Sequence, residues 1–410
     1  MLIAEWKKNF TIMWATQFIG MSAITGMISF LPLYVTVLGI HDPNEVAMWS
    51  GVLMGAASFC AALSNPYWGA MADRKGRKPM VEKVLFMYGL IIIAMAYVSN
   101  VYQLLTLRVL QGLCGGFIAS ATALVLSMTP PEEISFTVGM FQTSIIVGGT
   151  TGPMLGGFIA DYFGYRQPFV VFGCLCLLAL VIVRFAVTEK FAPVVKSKAT
   201  PLKQTFHYIW SLGDLRLMLL VQFLAQFAMQ GIGPVLPLYI RGIVPDISNL
   251  ASVSGIVIAI GGVASAIASA SMGMVSKRFS HKQILIASSL LGAFSFLGQL
   301  AAGDIVTFSV LRAINGLSIG AMIPSSNTII TLLIPESKRG AAYGITSGAG
   351  LMGNVLGPVC AGMLSLLFGI TAIFWITAVL FSAVSVLLFV YAKKVYVMSE
   401  TEPQLSDSQN

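Results

Sequence analysis

Charge is what this chain has least of. Only 10% of its 410 residues are Asp, Glu, Lys or Arg, while 57% are hydrophobic. That balance excludes an ordinary soluble globular protein of this length. Many apolar runs of about 20 residues or more point instead to a polytopic helical membrane protein. Alternation of apolar and polar residues is also lacking, which excludes a transmembrane barrel. Histidine is scarce, and His41, His207 and His281 fall in expected loops. No apolar run holds a His/Glu metal set or paired carboxylates, so no metal site and no enzymatic activity are expected. The five cysteines, Cys60, Cys114, Cys174, Cys176 and Cys360, lie inside apolar runs. Their odd number argues against a disulfide framework, and they read as packing residues. There is no nucleotide-binding P-loop, so ATP-driven work is disfavoured and no cofactor is expected. Short outer loops leave no room for a receptor ectodomain.

What remains is hydrophobic and repetitive. Twelve spans are expected: 11–38, 47–71, 79–99, 102–127, 135–160 and 166–188, then 214–240, 249–275, 282–301, 304–331, 340–366 and 370–392. The stretch 340–392 carries no charge after Arg339 and is too long for one span; Phe368 and Gly369 mark its break. Lys7 and Lys8 precede the apolar run 9–40, which is too long for a signal-peptide core and reads as a retained first span.

The net charge of +8 does not imply nucleic acid, because the cations sit in turns on one side of the expected membrane. Lys7, Lys8, Arg74, Lys75, Arg77, Lys78, Lys190, Lys196, Lys198, Lys203, Lys277, Arg278, Lys282, Lys338, Arg339, Lys393 and Lys394 all fall there, against little beyond Arg166 and Arg241 opposite. The positive-inside rule then places both termini in the cytoplasm. Residues 1–188 are expected to form one six-helix bundle and 214–398 a second. Between them lies a basic cytoplasmic linker, 189–213, and after them a polar tail, 399–410. The halves repeat with an offset of about 204 residues. Gln17 and Phe18 match Gln222 and Phe223. Leu31, Pro32, Leu33 and Tyr34 match Leu236, Pro237, Leu238 and Tyr239. Ser50 and Gly51 match Ser254 and Gly255, Arg108 and Gly112 match Arg312 and Gly316, and Pro153 matches Pro358.

One loop organises the rest. Residues 69–79 place Gly69, Asp73, Arg74, Lys75, Gly76, Arg77 and Lys78 between two long apolar runs. The pattern G-x-x-x-D-R-x-G-R-K resembles the loop 2–3 signature of the major facilitator superfamily. The resemblance implies an all-α membrane protein of twelve helices in two pseudo-symmetric six-helix bundles, with the substrate site between them near the bilayer midplane. It also implies that Asp73 is a gate residue. In the family this Asp latches the outward-facing state, near a C-half helix end whose dipole favours an anion. Gly69 and Gly76 would allow close helix approach, and Arg77 would pair locally. The second-half counterpart, from Gly273 to Arg278, lacks the Asp, so such a latch is asymmetric. A purely topological role for the four cations is the plainer alternative.

In the fifth span Gly148, Gly152 and Gly156 recur every four residues, giving a smooth face for a neighbouring backbone. Pro153 removes a hydrogen bond and is expected to kink the helix. Together with Gly157 the pattern resembles the superfamily's antiporter signature; small-residue packing alone is the alternative. In the fourth span Arg108, Gln111 and Gly112 resemble the family's R-x-x-Q-G motif, whose Arg is tied to proton transfer. An Arg at a span centre costs about 2.5–3.5 kcal/mol on insertion scales, so it should face a cavity or a partner. Lying near its span's start, Arg108 could instead snorkel.

Carboxylates are missing from the middle of every expected span. Asp42, Glu45, Asp73, Glu82, Glu132, Glu133, Asp161 and Asp214 all lie near ends. Cation-exporting relatives often carry an acid in the first or a neighbouring span. A site with Arg and no acid suits neutral, zwitterionic or anionic substrates better. Gln222, Gln226 and Gln230, spaced by four, are expected to line the cavity with Gln17, Arg312 and Asn315. Ser325, Ser326, Asn327, Gln142 and Asn354 are weaker candidates, and interhelical hydrogen bonding is the alternative for all of them.

The whole chain resembles the twelve-span drug:proton antiporter group, in its bacterial multidrug branch. The function this implies is export of small amphipathic compounds from a bacterial cytoplasmic membrane. The proton gradient would supply the energy, and the unit would be a monomer with protons, a small-molecule substrate and lipid as partners. A dedicated exporter of one metabolite, siderophore or lipid would share every one of these features.

Overall fold

The computed structural model describes residues 2–189, 213–245, 247–334 and 339–391. Most of the expected linker and all of the expected tail lie outside these residues, as do Lys190, Lys196, Lys198, Lys203, Lys338, Lys393 and Lys394. The described residues form helices and no β-strand. The first half runs α1 (Leu2–Thr25), α2 (Leu31–Val37), α3 (Pro43–Lys75), α4 (Arg77–Met95), α5 (Val101–Leu113), α6 (Phe117–Met128), α7 (Ile134–Phe163) and α8 (Gln167–Ala186). The second runs α9 (Gly213–Gly231), α10 (Leu236–Ile243), α11 (Leu250–Val275), α12 (His281–Ala301), α13 (Ile305–Leu333), α14 (Arg339–Phe368) and α15 (Ala372–Tyr391).

Among the described residues eight of these helices, and α5 taken together with α6, are long and apolar enough to cross a membrane, and α9 with α10, bent by 55°, makes a tenth if the pair is one span. Helices α4 and α7 fall short of that apolarity. The first carries Arg77, Lys78, Glu82 and Lys83 at its start, and the second is diluted by glycine and threonine, which lowers the hydropathy of both.

Three spans are broken where continuous rods are expected. The first and seventh break before the repeated Leu-Pro-Leu-Tyr stretch. Pro32 and Pro237 sit in the first turn of α2 and α10, where a missing amide proton does no harm. Each tyrosine then ties its short helix to a neighbour: the Tyr34 hydroxyl donates to the Met95 carbonyl at 2.8 Å, and Tyr239 donates to that of Gln299 at 2.9 Å. The fourth span breaks at Cys114–Gly116, where Gly116 takes φ +91°. Its repeat mate, α13, is continuous. Helix α7 runs unbroken through Pro153. The twelfth span begins after Gly369, at φ +86°, where the sequence breaks its charge-free run.

The halves meet through glycines. A Cβ on Gly51 would lie 2.2 Å from the Pro358 carbonyl oxygen, and one on Gly255 would lie 2.3 Å from that of Pro153. Gly157 stands equally close to the Ala251 carbonyl, and Gly362 abuts Ala47 and Met48. All these contacts lie on the side away from the 69–79 loop. On the loop side the glycines of the same helices, Gly69, Gly139, Gly273, Gly344 and Gly348, have nothing within 4 Å of a Cβ. The two halves are therefore closed on the far side and parted on the basic side.

Candidate functional site: the central cavity and its gates

Between the halves lies a cavity of about 250 Å³. The first half lines most of it: Ile24, Thr25 and Ile28 near the end of α1, then Met54, Ala57, Ser58, Ala61 and Asn65 of α3, with Tyr88 of α4. Arg108, Gln111 and Gly112 of α5 and residues 115–119 complete that wall. The second half adds Gln230, Asn354 and Pro358. No Asp or Glu is among the described residues that line it.

Arg108 is buried, 5% exposed, and its guanidinium donates to the Gln111 side chain at 3.2 Å. Its Nε has no partner among the described residues. Gly112 lets α5 approach α3, since a Cβ there would lie 2.3 Å from the Ala57 carbonyl oxygen. The repeat mates copy this arrangement. Arg312 donates to Asn315 at 3.4 Å, Asn315 donates to Ser295 at 3.2 Å, and Gly316 sits 2.2 Å from the Gly261 carbonyl on the same measure. Unlike Arg108, neither Arg312 nor Asn315 lines the cavity.

The glutamines separate. Gln230 lines the cavity; Gln222 is buried and donates to Asn327 across to α13 at 2.7 Å; Gln226 packs against Gly350 and Gly353 of α14. Gln17 is buried inside the first half, outside the cavity lining, with its amide unpaired among the described residues. Asn354 reaches the cavity with its carbonyl oxygen unpaired, and Gln142 is exposed.

Gly148, Gly152 and Gly156 face α1 and the turn after it, each within 3 Å of its backbone as judged by an added Cβ. Ser29 follows, its hydroxyl donating to the Pro153 carbonyl at 2.7 Å. Gly157 points the other way, onto α11 of the second half. This one helix thus carries both an internal packing face and a face of the far-side gate.

That gate has a carboxylate. Asp161, at the far end of α7, accepts from the backbone amides of Ser252 at 2.7 Å and Ala251 at 3.3 Å. These amides belong to the first turn of α11, which no side chain of its own caps. An anion there satisfies orphan donors and the helix dipole together. Tyr165 stands beside Asp161 and Arg241. Burial first, and then the Asp161 charge, push its phenol up, while Arg241 draws it down.

On the basic side Asp73 is exposed and has no hydrogen bond or ion pair among the described residues. Arg74 is exposed too. Gly76, at φ +102°, turns the chain from α3 into α4. The acceptor for the first amides of α4 is Glu189: Arg77 N and Lys78 N donate to its two oxygens at 3.0 and 2.9 Å. The Lys78 ammonium donates to the Arg184 carbonyl at 2.9 Å and sits 3.6 Å from Glu82, which pairs with Arg184 at 3.0 Å. In the sequence Glu189 falls at the start of the linker, and no local pattern marks a role for Asp161. Only folding brings them to helix starts roughly 110 and 90 residues away in the chain. The break at Cys114–Gly116 did leave a signal, two adjacent glycines inside an apolar run.

Two pseudo-symmetric helical halves around a cavity, closed on one side and parted on the other, define a secondary membrane transporter. The profile of the Major Facilitator Superfamily matches residues 13–262 and 218–407. The chain belongs to this family, as its loop and helix motifs indicated. It is 31% identical over 374 residues to the multi-drug resistance efflux pump PmrA of Streptococcus pneumoniae, covering 91% of this chain and 93% of PmrA. It is 32% identical over 375 residues to the multidrug resistance protein MdtG of Yersinia enterocolitica, covering 92% and 91%. Among solved structures, a bacterial homolog of the human lysosomal transporter Spinster, in an inward-facing and occupied conformation, superposes with a TM-score of 0.78. That match covers 95% of this chain and 97% of the other at 15% identity, a likeness of fold alone.

Proposed function

We propose that the chain is a multidrug efflux transporter that exports small amphipathic compounds by proton-coupled antiport. The observation that carries this is the cavity itself: mostly apolar, placed between the halves, lined from both, and sealed from one side only. A substrate held there is released to the other side when the far-side contacts part and the basic side closes. The efflux role named for PmrA supports the same direction of transport, and the multidrug resistance named for MdtG supports the same substrate range. With the basic side in the cytoplasm of a bacterial inner membrane, both termini lie inside, and this conformation is the one that loads substrate from within.

In this reading Asp161 and the α11 amides hold the outer gate shut. Asp73 latches the inner gate in the opposite conformation. Arg108 couples transport to protonation, and the unit works as a monomer. A membrane potential of 100 mV is worth about 2.3 kcal/mol per charge moved, enough to sustain a concentration gradient. The test is a drug-susceptibility panel in an efflux-deficient bacterial host, comparing wild type with Asp73→Asn. The panel spans cationic, neutral, zwitterionic and anionic compounds. Resistance to several unrelated compounds, lost in a well-expressed mutant, is the expected result. Resistance to none at good expression overturns multidrug export.

A further inference from the structure

We infer that the central cavity is built to hold the anionic group of an amphipathic substrate, a carboxylate, sulfonate or phosphonate, between Arg108 and the amino-terminal end of α6. The inference rests on the transport reading above and names the substrate class for that site.

The first observation is the broken fourth span. Helix α5 ends at Leu113, Gly116 turns the chain at φ +91°, and α6 starts afresh at Phe117. The fold does not require this break, because α13 passes through the same register of the second half as one continuous helix. The break creates a helix start in mid-span. No side chain caps it, and the amides of Phe117, Ile118 and Ala119 have no acceptor among the described residues. All three residues line the cavity. Unpaired first-turn amides and the positive end of the helix dipole both favour an anion.

The second observation is independent. Arg108 reaches the same cavity, buried, with its Nε unpartnered and a neutral amide as its one hydrogen-bond partner among the described residues. A guanidinium is always charged in a protein, and a buried charge calls for a counterion. None of the cavity's described lining residues is an acid. Arg312 makes the contrast: it repeats the bond to an amide three residues on, yet does not open on the cavity. The two halves therefore share the buried Arg, and only the first adds a helix start and an opening beside it. Ile24, Ile28, Met54 and Phe117 offer the apolar part of such a substrate a wall. Gly116 has no room for a side chain, since a Cβ would lie 2.8 Å from that of Trp68.

The test uses the full chain in zwitterionic nanodiscs and three matched ligands: 4-pentylbenzoate, 4-pentylbenzyl alcohol and 4-pentylbenzyltrimethylammonium. Calorimetry against empty nanodiscs reads binding, and uptake into proton-loaded inside-out vesicles, where the lumen stands for the outer side, reads export. Wild type should bind the benzoate about tenfold or more tighter than the alcohol, as a hydrogen bond to a charged group implies. Arg108→Gln should erase that preference and Arg108→Lys should keep part of it. Ala119→Asp places a carboxylate in the first turn of α6, where the helix dipole favours it and its charge repels a second anion. It should reject the benzoate and favour the ammonium ligand, and this inversion does not depend on how Arg108 variants fold. Benzoate binding no tighter than the alcohol's, or a preference unchanged in both Arg108→Gln and Ala119→Asp, overturns the anion site. Export of the alcohol or the ammonium ligand without the benzoate also overturns it and leaves the transporter reading standing. Benzoate bound with the stated preference, but no ligand exported, supports the site and overturns the transport reading instead.

Discussion

Gly255 of α11 and Pro153 of α7 belong to opposite halves, yet a Cβ on Gly255 would lie 2.3 Å from the Pro153 carbonyl oxygen. The internal repeat reproduces the contact with the halves exchanged, Gly51 against Pro358 at 2.2 Å. The far side closes through two backbone-to-backbone seams, each needing a residue without a side chain. Gly255→Ala is therefore expected to hold the far side apart. Spin-label distances across that face should lengthen, and export should fall about tenfold or more, with normal membrane insertion. Unchanged distances would show that α11 can shift to accept the methyl group.

Asp161 adds the polar part of the same closure. Removing its two bonds to α11 with Asp161→Ala should cost the far-closed conformation about 1–2 kcal/mol, as for a lost helix cap. That is a shift of about 5- to 30-fold in the population of the two conformations. Asp161→Asn keeps an acceptor and should move it less. Single-molecule distance distributions would measure both; equal effects from the two variants would argue that charge alone matters.

Asp73, free in this conformation, is expected to act when the basic side closes. Asp73→Asn should abolish export while leaving expression and the far-side contacts intact. Wild-type flux in a well-expressed mutant would falsify the gate assignment.

Glu189 serves a structural purpose by the same chemistry. Glu189→Ala leaves the Arg77 and Lys78 amides without their acceptor. The expected loss is about 0.5–2 kcal/mol, seen as a fall of a few degrees in thermal midpoint. A midpoint equal to wild type would mean water replaces the carboxylate at no cost.

Arg108→Ala is expected to uncouple export from the proton gradient. Flux measured with and without an imposed pH difference should become equal. Continued gradient dependence would reduce Arg108 to a substrate contact.

The amino-acid sequence alone determined the membrane rods, the repeat and the glycine face of α7. All three depend on composition and on the 3.6-residue period, which a linear reading senses directly. It also marked Arg108 as a charge inside an apolar run, and the Leu-Pro-Leu-Tyr pair as repeat mates. It did not foresee that those prolines begin short separate helices. Tertiary structure alone decided which faces meet. Spacing by four puts three glutamines on nearly one face, but each step of four residues turns the helix by about 40° beyond a full circle. From Gln222 to Gln230 that drift carries the side chain from Asn327 of α13 to the cavity. Asp161 and Glu189 likewise cap helices far away in sequence, where no local pattern pairs a carboxylate with its amides. Helix existence is local chemistry. Which orphan amide finds which carboxylate, and which glycine meets which carbonyl, follows from how the rods pack.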